Sequence, residues 1–181
     1  ISKETMTQIE LAKAIYDVAH ITGTFLLRSG ATSNEYFDKY LFEARPLLLQ
    51  EIAKQLSELL PNDVEVLAGL ELGGVPIATA VSLHTGIVAA FVRKKAKDYG
   101  TCKIAEGAEL KGKKIVIVED VVTSGGQVVL SAKDLREHGA EILCAVCVID
   151  RESGGKEALA KEGIELKPLF TMSQLKEAAG V

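Results

Sequence analysis

Apolar and polar positions divide the chain into two regimes. Up to Pro61 apolar residues recur at helical spacing or in short scattered runs; beyond it, compact apolar runs alternate with amphipathic ones. In the first regime Thr7 and Glu10 have capping-box spacing, and Ile9, Ala12, Ile15 and Ala19 follow at helical intervals, which predicts an opening helix. Phe25 to Arg28 and Glu35 to Phe42 read as short strands around the turn-rich Ser29 to Asn34. Pro46 fits the first turn of a helix running to about Leu60. In the second regime strands are expected at Val64–Leu70, Val88–Val92, Ile115–Val118, Glu141–Ile149 and Leu166–Phe170. Helices are expected from Val75 to about His84, from Gln127 to about His138 and from Lys156 to Glu162. Strands apolar on both faces, alternating with helices, imply a mostly parallel sheet covered on both sides. The first ~45 residues do not share that alternation, so they are expected to form a separate lobe at one edge.

Composition changes this picture little. A chain of 181 residues with 48% hydrophobic and 25% charged residues fits one globular domain and not a disordered segment. The formal charge of −4 argues against general nucleic-acid binding, which needs a broad basic surface. No apolar run approaches the ~18 residues of a membrane span. The first residues, with Lys3, Glu4 and Glu10, do not resemble a secretion signal, so the expected compartment is the cytoplasm. Three cysteines agree with that. Cys144 and Cys147 lie in one apolar run, and residues three apart on a strand face opposite sides, so they read as core residues and not as a metal pair. Cys102 stands alone in a polar loop. His20, His84 and His138 sit near helix ends without triad or metal spacing and read as structural.

The candidate chemistry concentrates in Ile115 to Gln127. An apolar strand leads into Glu119 and Asp120 at its C-terminal end, the end at which open parallel sheets bind ligands. Adjacent carboxylates in a crevice repel each other and lose solvation, so something must compensate them. Thr123, Ser124, Gly125 and Gly126 then lead directly into a helix, a small-residue loop suited to holding a phosphate on backbone amides. Arg93, Lys94, Lys95 and Lys97 crowd behind another strand, ahead of a polar stretch to Gly112 that reads as a mobile lid. That density of cations suits a highly charged anion. Arg151, between Asp150 and Glu152 at a strand end, can hold a carboxylate by a paired hydrogen bond. Gly69 to Pro76 is a strand–glycine–helix turn of the kind that seats phosphates.

The apolar strand, acidic pair, two apolar residues and Thr-Ser-Gly-Gly together resemble the signature of type I phosphoribosyltransferases, which use 5-phosphoribosyl diphosphate (PRPP). Arg93 to Gly100 is similar to the catalytic loop of the orotate phosphoribosyltransferase family, with Tyr99 where many members have histidine. Leu27 to Gly30 and the pair Tyr36 and Phe37 resemble that family's hood, with Arg28 in place of the commoner lysine. The resemblance implies an α/β type I phosphoribosyltransferase fold: a mostly parallel central sheet flanked by helices (46–181) with a small N-terminal hood (1–45). It implies a single enzyme domain that makes orotidine 5′-monophosphate and pyrophosphate from orotate and PRPP. Arg93, Lys94, Lys97 and Asp120 would be catalytic. PRPP would be held by Arg93, Lys94, Lys97, Tyr99, Glu119, Asp120, Val121, Val122, Thr123, Ser124, Gly125, Gly126 and Gln127, with Gly73 and Gly74 at the pyrophosphate. Orotate would meet Thr123, Arg151, Arg28, Tyr36 and Phe37. Mg²⁺ would be carried by PRPP oxygens and water, with no direct protein ligand. A homodimer with a shared lid is implied as well. Rival readings are a phosphoribosyltransferase for a purine or uracil, and a PRPP-sensing regulator without catalysis.

Overall fold

The computed structural model describes residues 5–100 and 103–181; Cys102 therefore lies outside the described residues. The chain opens with α1 (Gln8–Ala19), whose N-terminus carries the expected capping box between Thr7 and Glu10. A hairpin of β1 (His20–Leu26) and antiparallel β2 (Thr32–Phe37) follows, then α2 (Lys39–Glu43) and α3 (Pro46–Ser57). The remainder alternates: β3 (Val66–Leu70), α4 (Gly74–Thr85), β4 (Val88–Val92), β5 (Ala105–Gly107), β6 (Lys114–Val122), α5 (Gly126–Glu137), β7 (Glu141–Asp150), α6 (Gly155–Lys161), β8 (Leu166–Thr171) and α7 (Met172–Ala179).

The six-stranded sheet runs β5-β4-β3-β6-β7-β8. All neighbours are parallel except the edge pair β4–β5. Alternate residues feed two cores. On one face Leu67, Val116, Val118, Cys144 and Val146 pack with residues of α1, α3, α4 and α7. On the other, Ala68, Ile115, Ile117, Ala145 and Cys147 pack with Val128, Ala132 and Leu135 of α5 and Leu159 of α6. Cys144 and Cys147 thus fall on opposite faces, both buried and free, as strand geometry requires. Full burial of side chains such as Ile115 and Ile117 stabilises the sheet by about 1.5–3 kcal/mol each. Among the described residues no helix is long and apolar enough to cross a membrane.

Four expectations change. The N-terminal segment does not form one lobe: α1 buries Leu11, Ala12, Ile15 and Ala19 in the main core, and only the β1–β2 hairpin stands apart. The strand expected over Glu35 to Phe42 stops at Phe37, because the Asp38 carboxylate accepts the Tyr40 N–H and starts α2. The strand expected at Ile115–Val118 continues to Val122, because its parallel pairing with β7 extends through Val122↔Asp150. The acidic pair therefore sits on the strand itself. The polar stretch before Gly112 is anchored in its second half, where β5 pairs with β4 and Arg93 N–H donates to Ile104 O at 2.7 Å.

Candidate active site

Strand order reverses between β3 and β6: the chain winds outward from β3 through β4 and from β6 through β7 and β8. Such a switch point leaves a crevice beyond the C-terminal strand ends, since the connections on either side lead away from it. The β3–α4 turn, Glu119 and Asp120 all lie there. Packing at this point is close. A Cβ at Gly69 would lie 2.6 Å from Gly74 O, and one at Gly74 would lie 2.3 Å from Val118 O. A Cβ at Gly73 would lie 1.8 Å from Asp120 Oδ2. Only glycines let the turn lie against the end of β6.

Asp120 is 1% exposed. Its Oδ1 accepts the Val121 N–H at 2.7 Å, and its Oδ2 faces Lys39 Nζ of α2 at 2.9 Å. Glu43, also on α2 and 7% exposed, lies close enough to Asp120 to feel its charge. Burial, reinforced by the Asp120 charge, pushes Glu43 up to about 9. Burial and then the Asp120 charge push Glu119 up to about 8, against the opposing pull of Lys39 and Lys94. Burial alone would lower Lys39, but the Asp120 carboxylate beside it overcomes this and holds it above the usual lysine range. Lys39 thus offsets the charge of Asp120 from within the chain.

Beyond Val122 the chain leaves the sheet. Gly125, at φ +78, makes the N-cap of α5 without a side-chain hydrogen bond. The first-turn amides of α5 and the positive end of its dipole face the loop of Thr123 and Ser124, both exposed. Val122 is buried and packs where a Cβ on Gly155 would meet it at 2.4 Å, so only its backbone is available to a ligand. Gln127 donates to Ser131 Oγ at 3.2 Å.

The basic residues follow β4. Lys97 Nζ lies 2.8 Å from Glu106 Oε1 of β5, and Arg93 lies 3.7 Å from the same oxygen. The hydrogen bond from Lys97 leads the causes that hold Glu106 below the usual carboxylate range. Lys97 also lies over the Tyr99 ring at 5.6 Å. The Lys94 N–H donates to Glu71 in the β3–α4 turn, which ties the basic loop to that turn. Between hairpin and sheet is a cavity of about 270 Å³ lined by Tyr36, Phe37, Arg151, Glu35, His20 and Lys176, among others. The Arg151 guanidinium stacks over the Phe37 ring at 5.8 Å, and the Arg151 backbone N–H donates to Val122 O at 2.9 Å. Among the described residues it has no acidic partner within ion-pair distance. Asp150 accepts the Glu152 N–H, and Glu152 accepts the Ser173 N–H, which fixes the turn carrying Arg151.

Residues 42–172 match the model of the phosphoribosyl transferase domain. The chain is 51% identical to orotate phosphoribosyltransferase of a Nocardioides species, over 93% of this chain and 94% of that protein. It is 46% identical to the orotate phosphoribosyltransferase of Pyrococcus abyssi, over 95% and 97%. The chain belongs to the orotate phosphoribosyltransferase family. Among solved structures it resembles Mycobacterium tuberculosis orotate phosphoribosyltransferase in complex with PRPP, with a TM-score of 0.80 at 27% identity, covering 93% of this chain and 98% of that one. The α/β fold with its mostly parallel sheet is that family's fold.

The fold brings Glu119, Asp120, the loop to Gln127, Gly73, Gly74 and Lys94 to one crevice, and Arg151, Tyr36 and Phe37 to the adjoining cavity. Lys97 and Arg93 turn instead to Glu106. Arg28 is exposed in the turn beyond β1. Lys39, Glu43 and Glu106 are additional charged groups at these sites that sequence reasoning passed over. The Asp38 N-cap was the available signal for α2, and with it for Lys39 and Glu43 on one short helix.

Proposed function

We propose that this protein is an orotate phosphoribosyltransferase acting in pyrimidine synthesis. It would break the C1′–pyrophosphate bond of PRPP and form a bond from C1′ to an orotate ring nitrogen, releasing pyrophosphate and the proton of that nitrogen. The observation that carries this reading is the meeting of acidic pair, phosphate-type loop and glycine turn at one switch point, beside a cavity lined by Arg151. Glu119 and Asp120 serve the ribose hydroxyls, and the amides from Val121 to Gln127 take the 5′-phosphate. The Gly73–Gly74 turn takes the pyrophosphate together with Arg93, Lys94 and Lys97. Tyr99 lies under Lys97 and packs against its ammonium. Arg151 pairs with the orotate carboxylate while Phe37 and Tyr36 pack on the ring, with Thr123 between base and phosphate loop.

No protein nucleophile is required. Positive charge develops on the ribose ring and negative charge on the leaving group, so the residues act by positioning and by electrostatic stabilisation. Closure of the basic loop would exclude water, the competing nucleophile. We further propose Mg²⁺ dependence. The crevice offers Glu119 and a Lys39-paired Asp120, a donor set suited to water-mediated contact with a hydrated ion brought by PRPP. When bound, Mg²⁺ supplies charge neutralisation at the pyrophosphate. A homodimer that shares the basic loop and a cytoplasmic location complete the reading; the free thiols Cys144 and Cys147 support the latter.

The test is an assay of orotate consumption with purified protein, PRPP and Mg²⁺. Turnover of orotate, with none of hypoxanthine, adenine or uracil, is expected. Turnover of one of those bases without orotate overturns the reading.

A further inference from the structure

Behind the crevice, α2 directs two charged side chains at the same carboxylate. Asp120 Oδ2 meets Lys39 Nζ at 2.9 Å as an ion pair, yet it lies outside hydrogen-bond geometry and still lacks a donor. Both oxygens of Glu43 are buried and, among the described residues, also lack a partner. The charged groups facing Glu43 are Lys39 on its own helix and Asp120 and Glu119 from β6. α1 and α3, which also pack on α2, contribute apolar residues such as Leu11, Ile15 and Ile52 to this core. Three ionised carboxylates against one ammonium would leave a large uncompensated charge in a desolvated space. A proton shared between Glu43 and Asp120 removes that conflict. It satisfies the missing donor on Asp120 and one orphaned oxygen on Glu43 together.

We propose that Lys39 and Glu43 are positioning residues for the reaction, with Glu43 kept as a neutral carboxylic acid that donates its hydrogen bond to Asp120. Lys39 sets its ammonium against Asp120 Oδ2, and Glu43 fixes the orientation of that carboxylate against the Gly73 turn. This deepens the reading above and rests on it for its kinetic part only. Burial and the Asp120 charge, which push Glu43 up to about 9, agree with the neutral form at physiological pH.

Glu43→Gln keeps a neutral donor of the same shape, whereas Glu43→Ala removes it. With orotate and PRPP at about pH 7.5, Glu43→Ala should lose roughly 30-fold in kcat/KM for PRPP, with KM for orotate within about twofold. Glu43→Gln should restore most of that loss. It should also lack the fall in kcat/KM that the parent shows as Glu43 ionises near the alkaline end. Equal impairment of the two variants overturns the proposal. Independently of any activity, the infrared difference spectrum of parent minus Glu43→Gln should contain the carbonyl stretch of a protonated carboxyl group. An ionised-carboxylate band in its place overturns the proposal, even if both variants melt like the parent. A parent inactive on orotate but showing the protonated band would instead count against the orotate reading alone.

Discussion

A methyl group at Gly73 would occupy space held by Asp120, 1.8 Å from Oδ2. Backbone cannot give way there easily, because Gly74 on its other side already lies against Val118 O. Gly73→Ala should therefore displace Asp120 or the turn by about an ångström or more. Misplacement on that scale is expected to lower kcat/KM for PRPP by about 100-fold. Steady-state kinetics check this, with a melting curve to show that the fold survives. At this scale the sequence was partly legible. The acidic pair announced a need for compensation without showing where it would come from. The structure supplies Lys39 at Asp120. That pairing joins residues far apart in the chain and leaves no local spacing to read. Lys97 and Glu106 are close in the chain, but they too meet only because β5 returns alongside β4.

Elements were legible wherever periodicity or capping chemistry was strong. The Thr7 box placed α1, and the apolar runs placed β3, β4, β7 and β8 to within a few residues. The short helix α2 was lost because five residues are too few to show a helical period. α7 was passed over although Thr171 and Gln174 have the same capping-box spacing as Thr7 and Glu10. In the structure the Thr171 hydroxyl accepts the Gln174 N–H at 3.2 Å, and Gln174 accepts the Thr171 N–H at 2.8 Å. α7 packs against α1 and buries Leu175, so the cap secures one side of the main core. Thr171→Ala should cost about 1 kcal/mol. In a chain of this size that lowers Tm by roughly 2–4 °C. Calorimetry of the two proteins at neutral pH measures it, and catalysis should be little affected, since Thr171 faces neither crevice nor hood cavity.

For the whole molecule, the raised carboxyl groups make the protein's stability depend on pH in the direction opposite to most proteins' acid response. Glu119, near 8, and Glu43, near 9, hold protons in the folded state that they release on unfolding above the ordinary carboxylate range. Between about pH 5 and 9 the folded state therefore binds more protons than the unfolded one, and stability falls as pH rises. Tm should drop across that window, and Glu119→Gln should flatten the drop while matching the parent near pH 4.5. The second consequence concerns assembly. In this chain Lys97 and Arg93 point to Glu106, away from the acidic pair. A basic loop that serves a neighbouring subunit's crevice reconciles this geometry with the proposed chemistry. If so, Lys97→Ala and Asp120→Ala damage opposite halves of a shared site. Each alone should be nearly inactive. After subunit exchange, a mixed dimer carries one site with both lesions and one with neither. Random pairing of equal amounts makes about half of the dimers mixed, each with one intact site in two, so about a quarter of the parent's activity should return. Persistent inactivity after exchange has been demonstrated by mass spectrometry would instead require each loop to close over its own crevice, and Lys97 to leave Glu106 for that purpose.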